Sequence, residues 1–249
     1  MTDAEILATA AVLVGGACHS ATGFGFVLVA APLVAAALPP EEAVTSLLVL
    51  GIVTSSLTLL TEGRRPRPLW GDSAQIIAWG TAGAIAGAFV LARLNTTALQ
   101  LLVSCTVIVA LAARHRAKSN NLVTEGSDPF RKAWFVGLAA GTLTTTTAAN
   151  GPPLLLYLLE RRVVAARMRD TLSVLFIAFA AVGLAALAVG EADVALPSGL
   201  VIGALAVAAA AGHVAGRPLF ARLAEGHYDQ VVTTLLLVSV VAGAVVALA

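Results

Sequence analysis

A chain of 249 residues that is 59% hydrophobic and only 12% charged cannot make a wettable globular surface, because soluble domains carry about 25% charged residues. It is read as an integral membrane protein, all α-helical and polytopic. The net charge of +1, with the basic residues scattered between apolar runs, gives no footing for nucleic acid.

Taken in order, residues 5–21 are apolar but reach only about 25 Å as a helix. Cys18-His19-Ser20-Ala21-Thr22-Gly23-Phe24-Gly25 then forms a small, polar, glycine-rich break, and Phe26–Leu38 is a shorter apolar run. Neither run comfortably crosses a hydrocarbon core of ~30 Å, so the pair reads as a broken or re-entrant hairpin. Pro39-Pro40-Glu41-Glu42 ends it. Spans follow near 43–60, 74–91 and 98–113, with the basic turn Arg64-Arg65-Pro66-Arg67 after the first. Residues 114–132 are polar, and their Ser, Asn, Gly and Pro mark a linker. The plan then repeats: an apolar run 133–143, a polar break Thr144–Gly151, a short run Pro152–Leu159, and spans near 171–189, 195–216 and 230–248.

The repetition is visible in residues. Gly83 and Gly87 followed by Ala92-Arg93-Leu94 recur as Gly212 and Gly216 followed by Ala221-Arg222-Leu223, at a constant offset of 129. Gly25 and Thr45 fall on Gly151 and Thr171 at an offset of 126. The expected organisation is therefore a first repeat over 1–116, a cytoplasmic linker over 117–130 and a second repeat over 131–249. Each repeat is a hairpin returning to its starting side plus three crossings, so the two are inverted. With the linker inside, 14 of the 15 Lys and Arg residues are cytoplasmic and only Arg93 is outside, as the positive-inside rule requires. Both termini are then outside. The paired glycines suit close helix contact rather than ligand binding.

No HExxH, CxxC or G-x-S-x-G is present, so no metal, cofactor or enzymatic reaction is expected. Cys18 and Cys105 lie in apolar segments and read as packing residues. Cys18-His19 as a nucleophile–base pair is a poor alternative, because neighbours on a helix point ~100° apart. The acidic start Thr2-Asp3-Ala4-Glu5 does not resemble a cleavable signal.

The two breaks carry the functional reading. Unwound backbone survives at membrane depth only beside protein or a wet cavity. Gly23-Phe24-Gly25 and Asn150-Gly151-Pro152 each look like the start of a short helix, whose unpaired N–H groups and dipole would favour an anion. Ser20, Thr22, Thr146 and Thr147 would supply hydroxyls, unless the threonines bond to neighbouring carbonyls. His19 would tune charge or carry a coupling proton, or sit neutral against backbone. Arg169 and Asp170 form either a local ion pair or a gate, and His213 is expected to be structural.

These residues also carry a resemblance. ATGFGFVLVAAPL at 21–33, NGPPLLLYLL at 150–159, Arg169-Asp170-Thr171-Leu172 and the two glycine-plus-ARL blocks resemble the TauE/SafE family of bacterial sulfite exporters and related permeases. The resemblance implies a multi-pass inner-membrane protein that moves sulfite, organosulfonates or other small sulfur-containing anions, generally outward. The family's glycine-rich motif falls on Gly23 and Gly25, and its Gly-Pro motif on Gly151 and Pro152. Thr144–Ala149 departs from a stretch usually richer in glycine. The expected function is secondary transport by alternating access, with the lipid bilayer and a small anion as partners and a homo-oligomer left open. Alternatives are an importer of another small anion or sulfur compound, a membrane structural subunit, or an intramembrane enzyme.

Overall fold

The computed structural model describes residues 2–95, 97–99, 101–102, 105, 129–161, 163–189 and 194–223. Most of the expected span 98–113, most of the linker and the expected span 230–248 lie outside the described residues. Within them the chain is helical, with no strand: α1 (Asp3–Thr22), α2 (Phe26–Ala37), α3 (Pro40–Thr61), α4 (Trp70–Leu91), α5 (Pro129–Thr147), α6 (Gly151–Glu160), α7 (Ala165–Val189) and α8 (Gly199–Leu223). Helices α1, α3, α4, α7 and α8 are each long and apolar enough to cross a bilayer. Large apolar side chains such as Leu13, Phe89, Phe135 and Val207 remain exposed on the outside of the bundle, where acyl chains are their natural solvent. The protein is a polytopic all-α membrane protein.

Helix ends differ from the expected ones for local reasons. Helix α1 starts earlier than the apolar run because Thr2 and Glu5 form a reciprocal capping box. It also runs on through His19 and Ser20 to Thr22, giving a helix of 20 residues, or ~30 Å. The expected eight-residue break thus shrinks to Gly23–Gly25. Gly23 and Gly25 both sit at positive φ, 78° and 96°, where a side chain would be strained. Helix α2, with 12 residues, spans only ~18 Å and turns back along α1, its Phe26 carbonyl lying against Gly15. The first hairpin thus pairs a helix long enough to cross a bilayer with a return helix that is too short to do so. In the second, Thr144–Thr147 belong to α5 and the break is Ala148–Asn150. Ala148 holds φ at 56°, the one non-glycine residue at positive φ among those described.

Helix directions follow from the contacts. A Cβ on Gly212 would lie 1.9 Å from the Leu13 carbonyl oxygen, and one on Gly216 would lie 2.3 Å from that of Ala17. So α1 and α8 run parallel with their backbones touching. The same holds for α4 and α5: Gly83 lies against the Leu138 carbonyl and Gly87 against that of Thr142. Leu138 and Thr142 stand at an offset of 125 from Leu13 and Ala17, while the glycines stand at 129. The two clasps are the same contact made twice, and each joins a hairpin of one half of the chain to a spanning helix of the other. Helices α3 and α7 cross in opposite directions, since Arg64 just beyond α3 meets Asp170 near the start of α7, while Leu48 approaches Gly183 far along it.

These contacts make a prediction. Gly212→Leu forces a side chain into a backbone carbonyl and should destabilise the protein by about 3 kcal/mol. Gly203→Leu, on the same helix with open space around it, should change stability by less than about 0.5 kcal/mol. Unfolding in a graded denaturing detergent distinguishes the two; equal stabilities would refute the clasp.

Candidate functional site

The N-terminal ends of the short helices α2 and α6 open into one small cavity. Gly25–Leu28 form one wall, Ala148–Gly151 a second, and α3 and α7 close it with Leu47, Leu48, Gly51, Thr54, Ser55, Phe176 and Ala180. His19 reaches it from the last turn of α1.

The first intrahelical bond at the start of α2 is from Val29 N–H to the Gly25 carbonyl, 3.1 Å. The N–H groups of Phe26, Val27 and Leu28 therefore precede the helical ladder, and no side chain caps this end. Helix α6 offers fewer donors, because Pro152 and Pro153 have no N–H. Asn150 is buried and its side-chain amide donates to Thr144 Oγ1 at 2.9 Å, which orients its carbonyl oxygen away from that bond. The remaining lining is mostly apolar.

His19 is 2% exposed. Its Nε2 lies 3.4 Å from Ser55 Oγ, its ring is tilted against Phe176 with centroids 5.9 Å apart, and its Nδ1 meets no hydrogen-bond partner among the described residues. Of the residues expected to bind, His19, Gly25, Asn150 and Gly151 line the cavity. Gly23, Phe24 and Pro152 flank it, with Gly23 shaping the turn and the Phe24 side chain buried in a neighbouring apolar cluster.

The hydroxyls are mostly engaged elsewhere. Thr22 Oγ1 bonds to Phe24 within its own turn. Thr146 and Thr147 donate to the Thr142 and Leu143 carbonyls one turn back, and Thr145 donates to the Ala84 carbonyl of α4. The alternative in which the threonines bond to carbonyls is the one observed. Ser20 Oγ is buried with no partner among the described residues and lies off the cavity wall.

Arg169 and Asp170 lie beside the cavity, in a network at one end of the bundle. Asp170 receives two bonds from the Arg64 guanidinium at 2.7 and 2.9 Å and a third from the Arg67 backbone N–H at 2.7 Å. This pairing raises the Arg64 pKa above its usual value, with the Asp170 hydrogen bond as the main cause. Glu62 pairs with Arg64 and also with Arg169 Nε at 3.0 Å. Arg169 in turn donates to the Ser20 carbonyl at 2.9 Å, tying the end of α1 to α7. Arg161 and Arg217 sit at the same end, bonded to Asp72 and to the Thr61 carbonyl, whereas Arg93 closes α4 at its far end.

A family model, "Sulfite exporter TauE/SafE", matches residues 7–243, nearly the whole chain. The protein belongs to the TauE/SafE family. It is thereby a multi-pass member of a family of membrane transporters. No curated protein and no solved structure matches it.

Sequence reading passed over Ser55 and Phe176, which lie in the middle of apolar spans. The available signal was the series Ser55, Thr58 and Thr61, three residues apart on one face of α3.

Asp170→Ala removes three hydrogen bonds from a buried carboxylate while leaving Arg64 partly in solvent, which limits the loss. It should cost about 2 kcal/mol, read by the same detergent unfolding; no loss would mean that the network does not hold this end together.

Proposed function

We propose that this protein is a secondary transporter that exports sulfite or a related small sulfur-containing anion, such as an organosulfonate, by alternating access around the cavity. The observation that carries this reading is the convergence of two short-helix N-termini on one cavity. The free N–H groups of Phe26–Leu28, the Gly151 N–H and the dipoles of α2 and α6 favour a negative group there without a buried lysine. His19 and the Asn150 amide border the same space. The apolar remainder, Leu47, Leu48 and Phe176, suits the carbon part of an organosulfonate. Gly23 and Gly25 give the turn its shape, and the Arg64–Asp170 and Glu62–Arg169 pairs are proposed as the gate that couples α7 to the end of α1.

In this reading residues 1–116 and 131–249 are inverted repeats, and 117–130 is the linker between them. The antiparallel crossing of α3 and α7 and the doubled clasp support the inversion. The gathering of arginines at one end supports placing that end in the cytoplasm of a bacterial cell, with the protein in the inner membrane.

Flux of labelled sulfite, isethionate, taurine and thiosulfate from proteoliposomes tests the function. At least one anion should move, and no flux from correctly folded protein would sink the reading. Gly25→Leu, which fills the cavity wall at a strained φ, and Asn150→Leu should each lower flux at least ~100-fold while leaving expression intact. Unchanged kinetics in both would reduce the breaks to packing features. For orientation, single cysteines at Arg65 and Glu41 in a cysteine-free background should be labelled from the inside and the outside, respectively.

A further inference from the structure

The two halves share a packing plan but not a chemistry. Thr144 occupies in α5 the place of His19 in α1, at the offset of 125, and its hydroxyl is bonded to the Ala140 carbonyl. Ala84 and Ala88 of α4 occupy the places of His213 and Arg217 in α8, at the offset of 129. Only one side of the cavity is therefore backed by titratable groups among the described residues.

On that side polar side chains stand in a file along one face of α3, in two separate hydrogen-bonded groups. His19 lines the cavity and reaches Ser55 Oγ. Further along α3, Thr58 and Thr61 donate their hydroxyls to the Thr54 and Leu57 carbonyls; Thr61 Oγ1 also lies 3.3 Å from His213 Nε2, and the Thr61 carbonyl accepts a bond from Arg217 at 2.8 Å. Arg217 is exposed at the arginine-rich end. His213 is 1% exposed, and like His19 it has an Nδ1 with no partner among the described residues. A histidine kept for structure commonly engages both ring nitrogens. One that passes a proton needs a second nitrogen free to receive or release it.

The charges around the file link the proton to the anion. His19 and His213 are both buried; Arg169 of α7 donates to the carbonyl of Ser20, the residue after His19, and Arg217 of α8 donates to the carbonyl of Thr61, whose hydroxyl oxygen lies beside His213. Asp170 and Glu62, the nearby carboxylates, are bonded to arginines; Cys18 is the neighbouring titratable group on α1. A proton on His19 thus adds positive charge to a positive neighbourhood, and a negative group at the N-termini of α2 and α6 offsets it. Such linkage is reciprocal: the anion favours the proton, and the proton favours the anion.

We propose that His19 and His213, bridged along the Ser55–Thr61 face of α3, form a proton path between the cavity and the arginine-rich end, so that the anion crosses together with a proton. The proton enters at His213, rests on His19 while the anion is bound and leaves with it, returning both imidazoles to neutrality. This proposal rests on the anion-transport reading above. A monovalent anion accompanied by one proton moves no net charge, so its flux should follow the anion and pH gradients and ignore the membrane potential.

The test uses the full-length protein in liposomes containing a trapped pH dye, with valinomycin and potassium setting the potential. Isethionate is the first probe, because it stays ionised and any proton movement must come from the protein. Labelled isethionate efflux should carry protons in the same direction and change little when a potential is imposed. His213→Asn should lower the protons moved per isethionate about 10-fold. Thr61→Val, a milder change, should lower the same ratio. For sulfite, which carries its own proton, the ratio is compared between wild type and His213→Asn. Anion flux that follows the potential without protons overturns the path and leaves the transport reading standing, as does an unchanged ratio in both variants. Absence of flux for both probes overturns the two together.

Discussion

The architecture depends on two places where helix backbones touch. Gly212 and Gly216 let α8 lie against the carbonyls of α1, and Gly83 and Gly87 let α4 lie against those of α5. Lipid offers no hydrophobic drive between helices, so packing at this distance is what remains to hold them. A methyl group at any of these four glycines would lie within 2.5 Å of a neighbouring oxygen. Because each clasp joins opposite halves of the chain, neither half owns a complete hairpin environment. The hairpins are held by the helices that came, in sequence, from the other side.

That exchange brings the breaks together. Helix α1 ends late, near Arg169, and α5 ends at Thr147 beside the apolar cluster around Ala43 and Val44. The short helices α2 and α6 then start back from these turns, and both starts open on one cavity. Backbone conformation does the local work: Gly23 and Gly25 take left-handed φ values, and Ala148 takes one without glycine's freedom. A stretch richer in glycine would relieve that strain. The alanine keeps the second turn stiffer than the first.

The cavity that results has unlike sides. Toward the arginine-rich end it is backed by His19, Ser55, Thr61 and His213, and by the carboxylate–guanidinium network that ties Ser20, Glu62, Arg64 and Asp170 together. The corresponding positions of α4 and α5 hold alanines and a threonine whose hydroxyl is already bonded. In the transport reading proposed above, an inverted repeat supplies two similar gates in outline, and the asymmetry at His19 and His213 is where coupling to a proton would enter.

Much of this was legible in the chain itself. Composition determined the membrane, glycine spacing pointed to the doubled packing, and the motifs at Gly23–Gly25 and Gly151–Pro152 marked the breaks and the family. These are local properties, set by hydropathy and by what each backbone position tolerates. The tertiary structure decided which side chains face the cavity. Thr146 and Thr147 look like donors in sequence, yet helix geometry offers each a carbonyl four residues back and takes the hydroxyl. Ser55 and Phe176 look like ordinary span residues and become walls, because α3 and α7 cross in opposite directions at that level. Arg169 and Asp170 are adjacent in the chain, but each has its partner across the α3–α4 loop. Sequence determines which residues can leave a helix or pack closely, whereas long-range packing alone determines what they meet.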